Sequence, residues 1–368
     1  MHELLAQLVA IDSVSSRSNL AMLDVLEPRL ASLGFAVERQ PVGPGKANLL
    51  ARKGPGGGGG LALVGHTDTV PYDPAWSGAL TLSEKEGRLY GRGACDTKGF
   101  IACAVAAAGA TPPLSKPLWL AFTCDEEVGC LGAKALGRRA DFRPQFAIVG
   151  EPTRLQPVRG GKGYCMAEVT VRGLEGHSAY PDRGASALRG ARLFLDELAK
   201  LEEQLRQESE SGIRGGFSPP YTTLNVGMLQ AGKAKNIIPG EARLTVEWRP
   251  IPGEPFARVS SALDAIGDLV RRRLPRLEIQ IEVAREDSAF STPADAELVR
   301  FLEAASGHPS ATIPFGSEAP DLIELGTEVV VFGPGDIRVA HQTGEFVPVE
   351  DLARCEKVLG EAIEKFCG

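Results

Sequence analysis

Short runs of apolar residues alternate in the first part of the chain with longer segments whose apolar residues recur every three or four positions. The short runs are typical of buried strands, and the longer spacing is typical of helices that bury one face. Predicted helices cover Leu4–Val9, Met22–Leu33, Lys98–Ala110 and Ala133–Arg138, and predicted strands cover Phe35–Gln40, Ala47–Arg52, Leu61–Gly65, Pro117–Cys124 and Gln145–Val149. This alternation predicts an α/β sheet layered by helices.

The pattern changes at Tyr164. From there the predicted order is strand, helix, strand, strand, helix, strand, which is typical of the ferredoxin-like split motif. These elements cover Ala167–Arg172, Gly184–Ser209, Thr222–Leu229, Arg243–Arg249, Pro255–Arg273 and Leu277–Val283, and a helix Glu297–Ala305, a strand Glu328–Phe332 and a helix Val349–Cys367 follow. We therefore expect a first domain of residues 1–163 and 287–368, with a second domain of residues 164–286 inserted into it.

Composition narrows the class of protein. Hydrophobic residues make up 43% and charged residues 24% of 368 residues, which is typical of a globular chain. The formal net charge of −7 argues against a nucleic-acid partner, because phosphate binding needs clustered positive charge. The chain contains no run of about 18 apolar residues, so no membrane span is predicted. The first twenty residues include Glu3 and Asp12 and lack the basic start of a secretory signal.

Cysteine and glycine patterns exclude further classes. The seven cysteines are odd in number and form no C-x-x-C pair, so we expect reduced thiols, a cytoplasmic protein and no zinc–thiolate cluster. The glycine-rich run of residues 54–60 leads into a strand, which predicts a surface turn and not a phosphate-binding loop. No G-x-G-x-x-G joins a strand to a helix, so a dehydrogenase is not expected.

Histidine and carboxylate side chains follow the ends of several predicted strands, where α/β sheets present functional groups. Taken singly, each has a structural alternative: His66 as a hydrogen-bonded core residue, Asp96 as a helix N-cap, and the acidic run as a solvated turn. The residues concerned are His66 with Asp68, Asp96, Asp125-Glu126-Glu127, Glu151 and His341.

Taken together, two imidazoles and three carboxylates make a mixed nitrogen and oxygen ligand set. The set His66, Asp96, Glu127, Glu151 and His341 suits zinc, cobalt or manganese and needs no thiolate. With Asp96 as a bridge, one histidine and one glutamate on either side would hold two metal ions about 3.5 to 4 Å apart. Glu126 is then free to act as general base toward a metal-activated water.

Six motifs resemble, in order and spacing, those of the dinuclear-zinc M20 peptidase and deacylase family. They are His66-Thr67-Asp68, the segment Gly93–Gly99, Asp125-Glu126-Glu127, Gly150-Glu151-Pro152-Thr153, Gly176-His177-Ser178-Ala179 and Ala340-His341. The resemblance covers essentially the whole chain. It implies a mixed-sheet zinc-hydrolase catalytic domain and an inserted ferredoxin-like α+β domain that serves for dimerisation and as a lid.

The resemblance also implies the role of each site residue. The metal ions would be zinc, with cobalt able to replace it: His66 and Glu151 would hold one ion, and Glu127 and His341 would hold the second. Asp96 would bridge them, Glu126 would act as base and acid, and Asp68 would orient His66. His177 would reach the active site of the neighbouring subunit in a homodimer, although from the residues alone it could merely end a strand.

Weaker signals concern the substrate. The segments Gly65–Pro71, Leu155–Arg159 and Ser317-Glu318-Ala319-Pro320 resemble the branch of the family that hydrolyses N2-acetyl-L-ornithine to L-ornithine and acetate in arginine biosynthesis. Arg249 and Asn236 resemble the family positions that hold the α-carboxylate of the substrate. Glu318 is our candidate acceptor for the side-chain ammonium of ornithine.

Other activities stay open at this stage. Succinyl-diaminopimelate desuccinylases, aminoacylases and di- or carboxypeptidases of the same family share every metal ligand. A non-catalytic dimeric scaffold that binds an amino acid is a further alternative, but it would have no need for the spare carboxylate of Glu126.

Overall fold

The computed structural model describes residues 1–111, 113–210, 216–255 and 257–368. The chain divides into two compact units. The first comprises residues 1–160, 291–311 and 317–368, and the second comprises residues 161–290 and 312–316. The domain boundaries expected from the sequence, after residues 163 and 286, lie three and four residues from the observed divisions after residues 160 and 290.

The elements follow in chain order. The first segment contains α1 (His2–Val9), α2 (Leu20–Ser32), β1 (Ala36–Gly43), β2 (Lys46–Lys53), β3 (Leu61–His66), β4 (Ser83–Lys85), β5 (Arg88–Tyr90), α3 (Lys98–Gly109), β6 (Leu118–Thr123), α4 (Leu131–Gly137), β7 (Phe146–Val149) and β8 (Val158–Gly161). The middle segment contains β9 (Tyr164–Arg172), β10 (Gly176–His177), a 3-10 turn (Pro181–Arg183), α5 (Ala187–Glu210), β11 (Thr223–Ala231), β12 (Ile237–Ile238), β13 (Glu241–Arg249), α6 (Ala257–Arg273) and β14 (Glu278–Asp287). The last segment contains β15 (Phe290–Ser291), α7 (Glu297–Ser306), β16 (Ala311–Ile313), α8 (Ala319–Ile323), β17 (Glu328–Val331), β18 (Phe346–Pro348) and α9 (Val349–Cys367).

A mixed sheet forms the centre of the first unit, with the order β1-β2-β6-β3-β7-β17-β8. β1, β2 and β6 pair antiparallel, whereas β6, β3, β7 and β17 run parallel. The parallel strands consist almost wholly of apolar residues, as a sheet covered on both faces requires. The Ala-rich helix α3 is buried nearly all round and packs against α9, so the core lies at the sheet and these helices.

The second unit contains a four-stranded antiparallel sheet of order β11-β13-β9-β14. Numbered within the unit, this is the order 2-3-1-4 of a split β-α-β-β-α-β motif, as the sequence predicts. α5 and α6 pack on the sheet, and the core includes Val169, Phe194, Trp248 and Leu263. β11 and β14 are the edge strands.

The helices and strands predicted from the sequence are present, with shifts of a few residues at their ends. Phe256, within the predicted helix Pro255–Arg273, lies outside the described residues. Sequence analysis missed several elements, which include β4, β5, β18 and α8, because segments of three to five residues are too short to show a periodic pattern. Among the helices of the described residues, none combines the length and apolar character needed to cross a membrane.

Candidate metal centre

The parallel strands place three predicted ligand segments at one edge of the sheet. β3 lies between β6 and β7, with His66 paired to Thr123 and Val64 to Val149. The chain segments that leave these strands therefore start side by side, because the carboxyl ends of parallel strands meet at the same edge. Gly150, which follows β7, has no room for a Cβ atom, since one would lie 2.1 Å from the ring of Phe100.

His66 is buried, and a hydrogen bond shows that one of its ring nitrogens carries a proton. Nδ1 lies 2.9 Å from the backbone carbonyl oxygen of Asp68. A carbonyl oxygen can only accept, so Nδ1 carries the proton and donates it. Nε2 lies 3.1 Å from Oδ1 of Asp96, and in its deprotonated form it would offer its lone pair to a metal ion.

The carboxylate of Asp68 has a different partner from the one expected. Its Oδ1 lies 3.7 Å from Nδ1 of His66, while the backbone carbonyl of Asp68 takes the imidazole hydrogen bond. The carboxylate instead accepts the hydroxyl of Ser15 at 2.7 Å and the backbone N–H groups of Glu126 at 3.1 Å and Glu127 at 3.4 Å. Asp68 thus orients His66 through its main chain and holds the acidic turn through its side chain.

The acidic turn after β6 is built into the protein and is not a solvated loop. Asp125 is buried, has a positive φ of 57°, and pairs with Nζ of Lys46 at 2.5 Å. Lys46 also donates to the carbonyl oxygen of Ser15 at 2.7 Å. This anchoring points Glu126 and Glu127 away from Asp125 and toward the other ligands.

Asp96 lies between the two histidines. Its Oδ1 faces Nε2 of His66 at 3.1 Å, and its Oδ2 faces Nε2 of His341 at 3.2 Å. Burial would raise the pKa of this carboxyl, but hydrogen bonds to the two imidazoles lower it below its ordinary value. Thr97, and not Asp96, is the N-cap of α3, and the peptide bond that joins them is cis. Because Asp96 does not cap the helix, each of its two oxygens is available to one of two metal ions.

His341 completes the second side. Its Nε2 lies 3.1 Å from Oε1 of Glu127, and its backbone has a positive φ of 61°. Hydrogen bonds to Asp96 and Glu127 raise the pKa of His341 to about 10. Nε2 of His341 thus lies close to an oxygen of Asp96 and an oxygen of Glu127. A cation at this position could be bound by all three atoms.

Glu126 and Glu151 carry the strongest evidence of crowded negative charge. Burial, together with repulsion from neighbouring carboxylates, raises the pKa of both well above the ordinary value. For Glu151 the repelling groups include Asp96, and for Glu126 they include Glu127. Such a cluster is stabilised by cations placed among its members.

Three groups in the described residues bring ligand atoms within 4.8 Å of one another. They are His66 with Asp96 and Glu151, Asp96 with Glu127 and His341, and His66 with Glu126 and Glu127. Asp96 belongs to two of them, on opposite sides. The nitrogen and oxygen donor set fits divalent zinc, cobalt or manganese.

The remaining candidates divide between the units. Glu318, in the first unit, is buried at the N-cap of α8. His177, Asn236 and Arg249 lie in the second unit, where β10 pairs with β12 and the backbone N–H of Ser178 donates to the carbonyl of Asn236 at 3.1 Å. Arg249 ends β13, with its guanidinium carbon 4.5 Å from the centre of the Tyr164 ring.

Sequence reasoning missed residues that support the ligands. Lys46 and Ser15 precede the first motif, and Arg92 and Glu345 form a buried ion pair at 2.6 Å. The only local signal is the position of Glu345, four residues after His341. The other contacts join segments that are far apart in sequence.

Known proteins resemble the chain over nearly its full length. The chain is 57% identical to an acetylornithine deacetylase of Myxococcus xanthus, with 99% of this chain and 97% of that protein covered. It is 36% identical to the acetylornithine deacetylase of Proteus mirabilis strain HI4320, with 99% and 96% covered. The fold is similar to aminopeptidase PepT of Bacillus cereus (TM-score 0.79, 21% identity, 98% and 96% covered) and to the M20 family metallo-carboxypeptidase Sso-CP2 of Sulfolobus solfataricus (TM-score 0.78, 17% identity, 98% and 97% covered).

These relatives, together with the candidate ligands at the edge of the mixed sheet, identify the class of protein as a metal-dependent amidohydrolase. Residues 62–365 match the family described as peptidase family M20/M25/M40. The chain belongs to that family, as the resemblance of its motifs indicates.

Proposed function

We propose that the protein hydrolyses N2-acetyl-L-ornithine to L-ornithine and acetate, a step of arginine biosynthesis. The observation that carries the proposal is the 57% identity to an acetylornithine deacetylase over 99% of this chain. The intact set of two histidines and four carboxylates, Asp96 included, supports it, because a protein that only bound the substrate would not need the spare carboxylate of Glu126.

We propose that the centre holds two divalent ions, with zinc as the native metal and cobalt as a substitute. His66 and Glu151 would hold one ion, Glu127 and His341 the other, and Asp96 would bridge them. When bound, such ions polarise the amide carbonyl and lower the pKa of an attacking water toward about 7. Two of the three groups whose donor atoms lie within 4.8 Å of one another match this division, His66 with Asp96 and Glu151, and Asp96 with Glu127 and His341; the third group joins His66 with Glu126 and Glu127.

Glu126 would act as general base and then as general acid. Its backbone N–H donates to the carboxylate of Asp68 at 3.1 Å, which fixes the start of its side chain beside the proposed ligands, and a carboxylate at such a position can exchange protons with a metal-activated water. Glu126 would take a proton from the water as the new C–O bond forms. It would give that proton to the ornithine nitrogen as the C–N bond breaks.

Substrate recognition would use both ends of the amino acid. Arg249 would offer a bidentate fork for the α-carboxylate, and Asn236 would offer an amide donor. Glu318 would accept the side-chain ammonium of ornithine. Both carboxylate oxygens of Glu318 are buried and lack a hydrogen-bond partner among the described residues, which supports a role toward a cationic ligand.

We propose that the protein is a homodimer in which His177 donates to the developing oxyanion at the partner's metal centre. Two features of the second unit support this. His177 is exposed, and its Nδ1 already accepts the backbone N–H of Ala179 at 3.1 Å, which leaves Nε2 as the outward-facing nitrogen and proton carrier. Strand β11 is an open edge with Met228 and Leu229 exposed, and such an edge is suited to pairing with a second copy.

A cytoplasmic location goes with this biosynthetic role. The seven cysteines are buried and form no disulfide in the part of the chain that the structure describes, which suits a reducing compartment.

A competition assay tests the proposed substrate. N2-acetyl-L-ornithine and N-succinyl-diaminopimelate are offered together to the zinc-loaded enzyme, and both products are followed by chromatography. We expect kcat/KM to favour acetylornithine by at least about tenfold, a difference of roughly 1.4 kcal/mol. Equal or reversed values would assign the protein to the desuccinylases, and preferred cleavage of a dipeptide in the same assay would assign it to the peptidases.

A further inference from the structure

Glu345 is a buried carboxylate that accepts hydrogen bonds from the backbone that carries one of the proposed ligands. Its Oε1 accepts the N–H of Cys95 at 3.0 Å and the N–H of Asp96 at 3.1 Å. Only 1% of Glu345 is exposed. Two hydrogen bonds from successive N–H groups fix the orientation of the peptide planes on either side of Cys95.

The main chain of Glu345 reinforces the same attachment. Its carbonyl oxygen accepts the N–H of Gly91 at 3.0 Å, and the next residue, Phe346, pairs with Tyr90 where β18 meets β5. Glu345 thus holds the loop that leads from β5 to Asp96 at both of its ends. It also lies four residues after His341, so one short segment carries a ligand of the second metal position and the clamp on the bridging residue.

Arg92 explains how a buried carboxylate is tolerated beside an acidic centre. Its Nη1 donates to Oε2 of Glu345 at 2.6 Å, and its Nη2 donates to the carbonyl of Pro71 at 3.3 Å. Arg92 is itself 2% exposed. The guanidinium offsets the charge of Glu345 and occupies Oε2, which leaves Oε1 for the two backbone donors.

We infer that Glu345, paired with Arg92, is a positioning residue that fixes the backbone of Asp96 so that its carboxylate bridges the two metal positions. The bridge depends on both oxygens, since Oδ1 faces His66 at 3.1 Å and Oδ2 faces His341 at 3.2 Å. Rotation of the Asp96 backbone would displace both oxygens at once. This inference rests on the proposed two-metal centre.

The test compares metal binding by Glu345→Ala and Glu345→Gln with the wild-type enzyme. Zinc affinity is measured by chelator competition, and the cobalt-loaded forms are examined by visible absorption, which reports ligand geometry. We expect Glu345→Ala to weaken the binding of both ions by about 10- to 100-fold, the range for loss of a group that orients a ligand, and to change the cobalt spectrum. Glu345→Gln keeps one acceptor oxygen, so it should lose less affinity.

Glu303→Gln is the matched control, because Oε1 of Glu303 also accepts a backbone N–H, that of Ser310 at 2.7 Å, in the same unit. It should leave zinc affinity and the cobalt spectrum unchanged. A Glu345 variant with a lower melting temperature but wild-type affinity and spectrum would overturn the inference and leave Glu345 a purely structural role. If Glu345→Ala does not fold, the zinc affinity and cobalt spectrum of Glu345→Gln alone test the inference. If neither variant folds, the inference is also overturned. Failure of the wild-type enzyme to bind two ions would instead contradict the proposed function.

Discussion

Glu318 allows a quantitative test of the proposed ammonium site. Its side chain is 1% exposed, and burial raises its pKa from an ordinary 4.5 to about 7, although the charge of His66 partly opposes the shift. Neither carboxylate oxygen has a hydrogen-bond partner among the residues described. In the free protein, an ionised Glu318 should therefore destabilise the fold.

The pKa gives the magnitude and sign of this destabilisation. A folded-state pKa above the unfolded value means that the folded protein binds the proton more tightly, so stability falls as pH rises from about 4.5 through about 7. The difference between a pKa of 4.5 in the unfolded chain and about 7 in the folded protein, at about 1.36 kcal/mol per pH unit, corresponds to about 3 kcal/mol above pH 7. Glu318→Gln removes the charge at every pH, so it should stabilise the metal-free protein by about 3 kcal/mol at pH 8 and by little at pH 4.5.

Urea unfolding of metal-free wild-type and variant proteins at several pH values between 5 and 8 measures this difference. The exposed neighbour Glu324→Gln is the control, and it should follow the wild-type stability at each pH. The same Glu318→Gln variant should lose its preference for acetylornithine over N-acetyl amino acids with uncharged side chains. A stability difference that does not grow with pH would refute the desolvation argument, and an unchanged substrate preference would remove Glu318 from the substrate pocket.

Three further variants test the remaining roles. Glu126→Gln should bind zinc almost normally and lose at least about a hundredfold in kcat, the scale for loss of a general base, whereas loss of zinc would make Glu126 a ligand. Arg249→Ala should raise KM and lower kcat/KM for all N-acyl amino acids, which corresponds to a loss of about 2 to 3 kcal/mol in binding free energy. The variant Arg243→Ala, at an exposed strand residue, is the control. Equal kinetics in the two variants would count against a role of Arg249 in substrate binding. Mixed dimers of His177→Ala and Glu126→Gln chains should be more active than either parent, because one of their two sites contains both an intact Glu126 and an intact His177. No gain in activity, after mass spectrometry has verified subunit exchange, would contradict the shared-site proposal.

The sequence predicts the framework of the centre because its ligands follow buried parallel strands. His66, Glu127 and Glu151 each lie at or just after the end of a strand whose apolar run is readable, and these strands are adjacent in the sheet. Residues at the ends of adjacent parallel strands lie close together whatever conformation the following loops adopt. The metal-binding hypothesis therefore needs little knowledge of the loops.

The supporting contacts could not be predicted in the same way. Glu345 and Asp96 are 249 residues apart, and no periodic pattern relates them. The resemblance implies that Asp68 orients His66, but the choice between its carbonyl and its carboxylate depends on where the chain after β6 turns. Local spacing predicts candidate ligands, whereas tertiary packing determines which residues hold them in place.

The most direct test of the account is acetate release from N2-acetyl-L-ornithine by metal-free enzyme as zinc is added. We expect no measurable release without metal, and a rate that rises with zinc and levels off at about two ions per chain. Full activity in the metal-free protein, or saturation with zinc without any release of acetate, would contradict the proposed metal-dependent deacetylation.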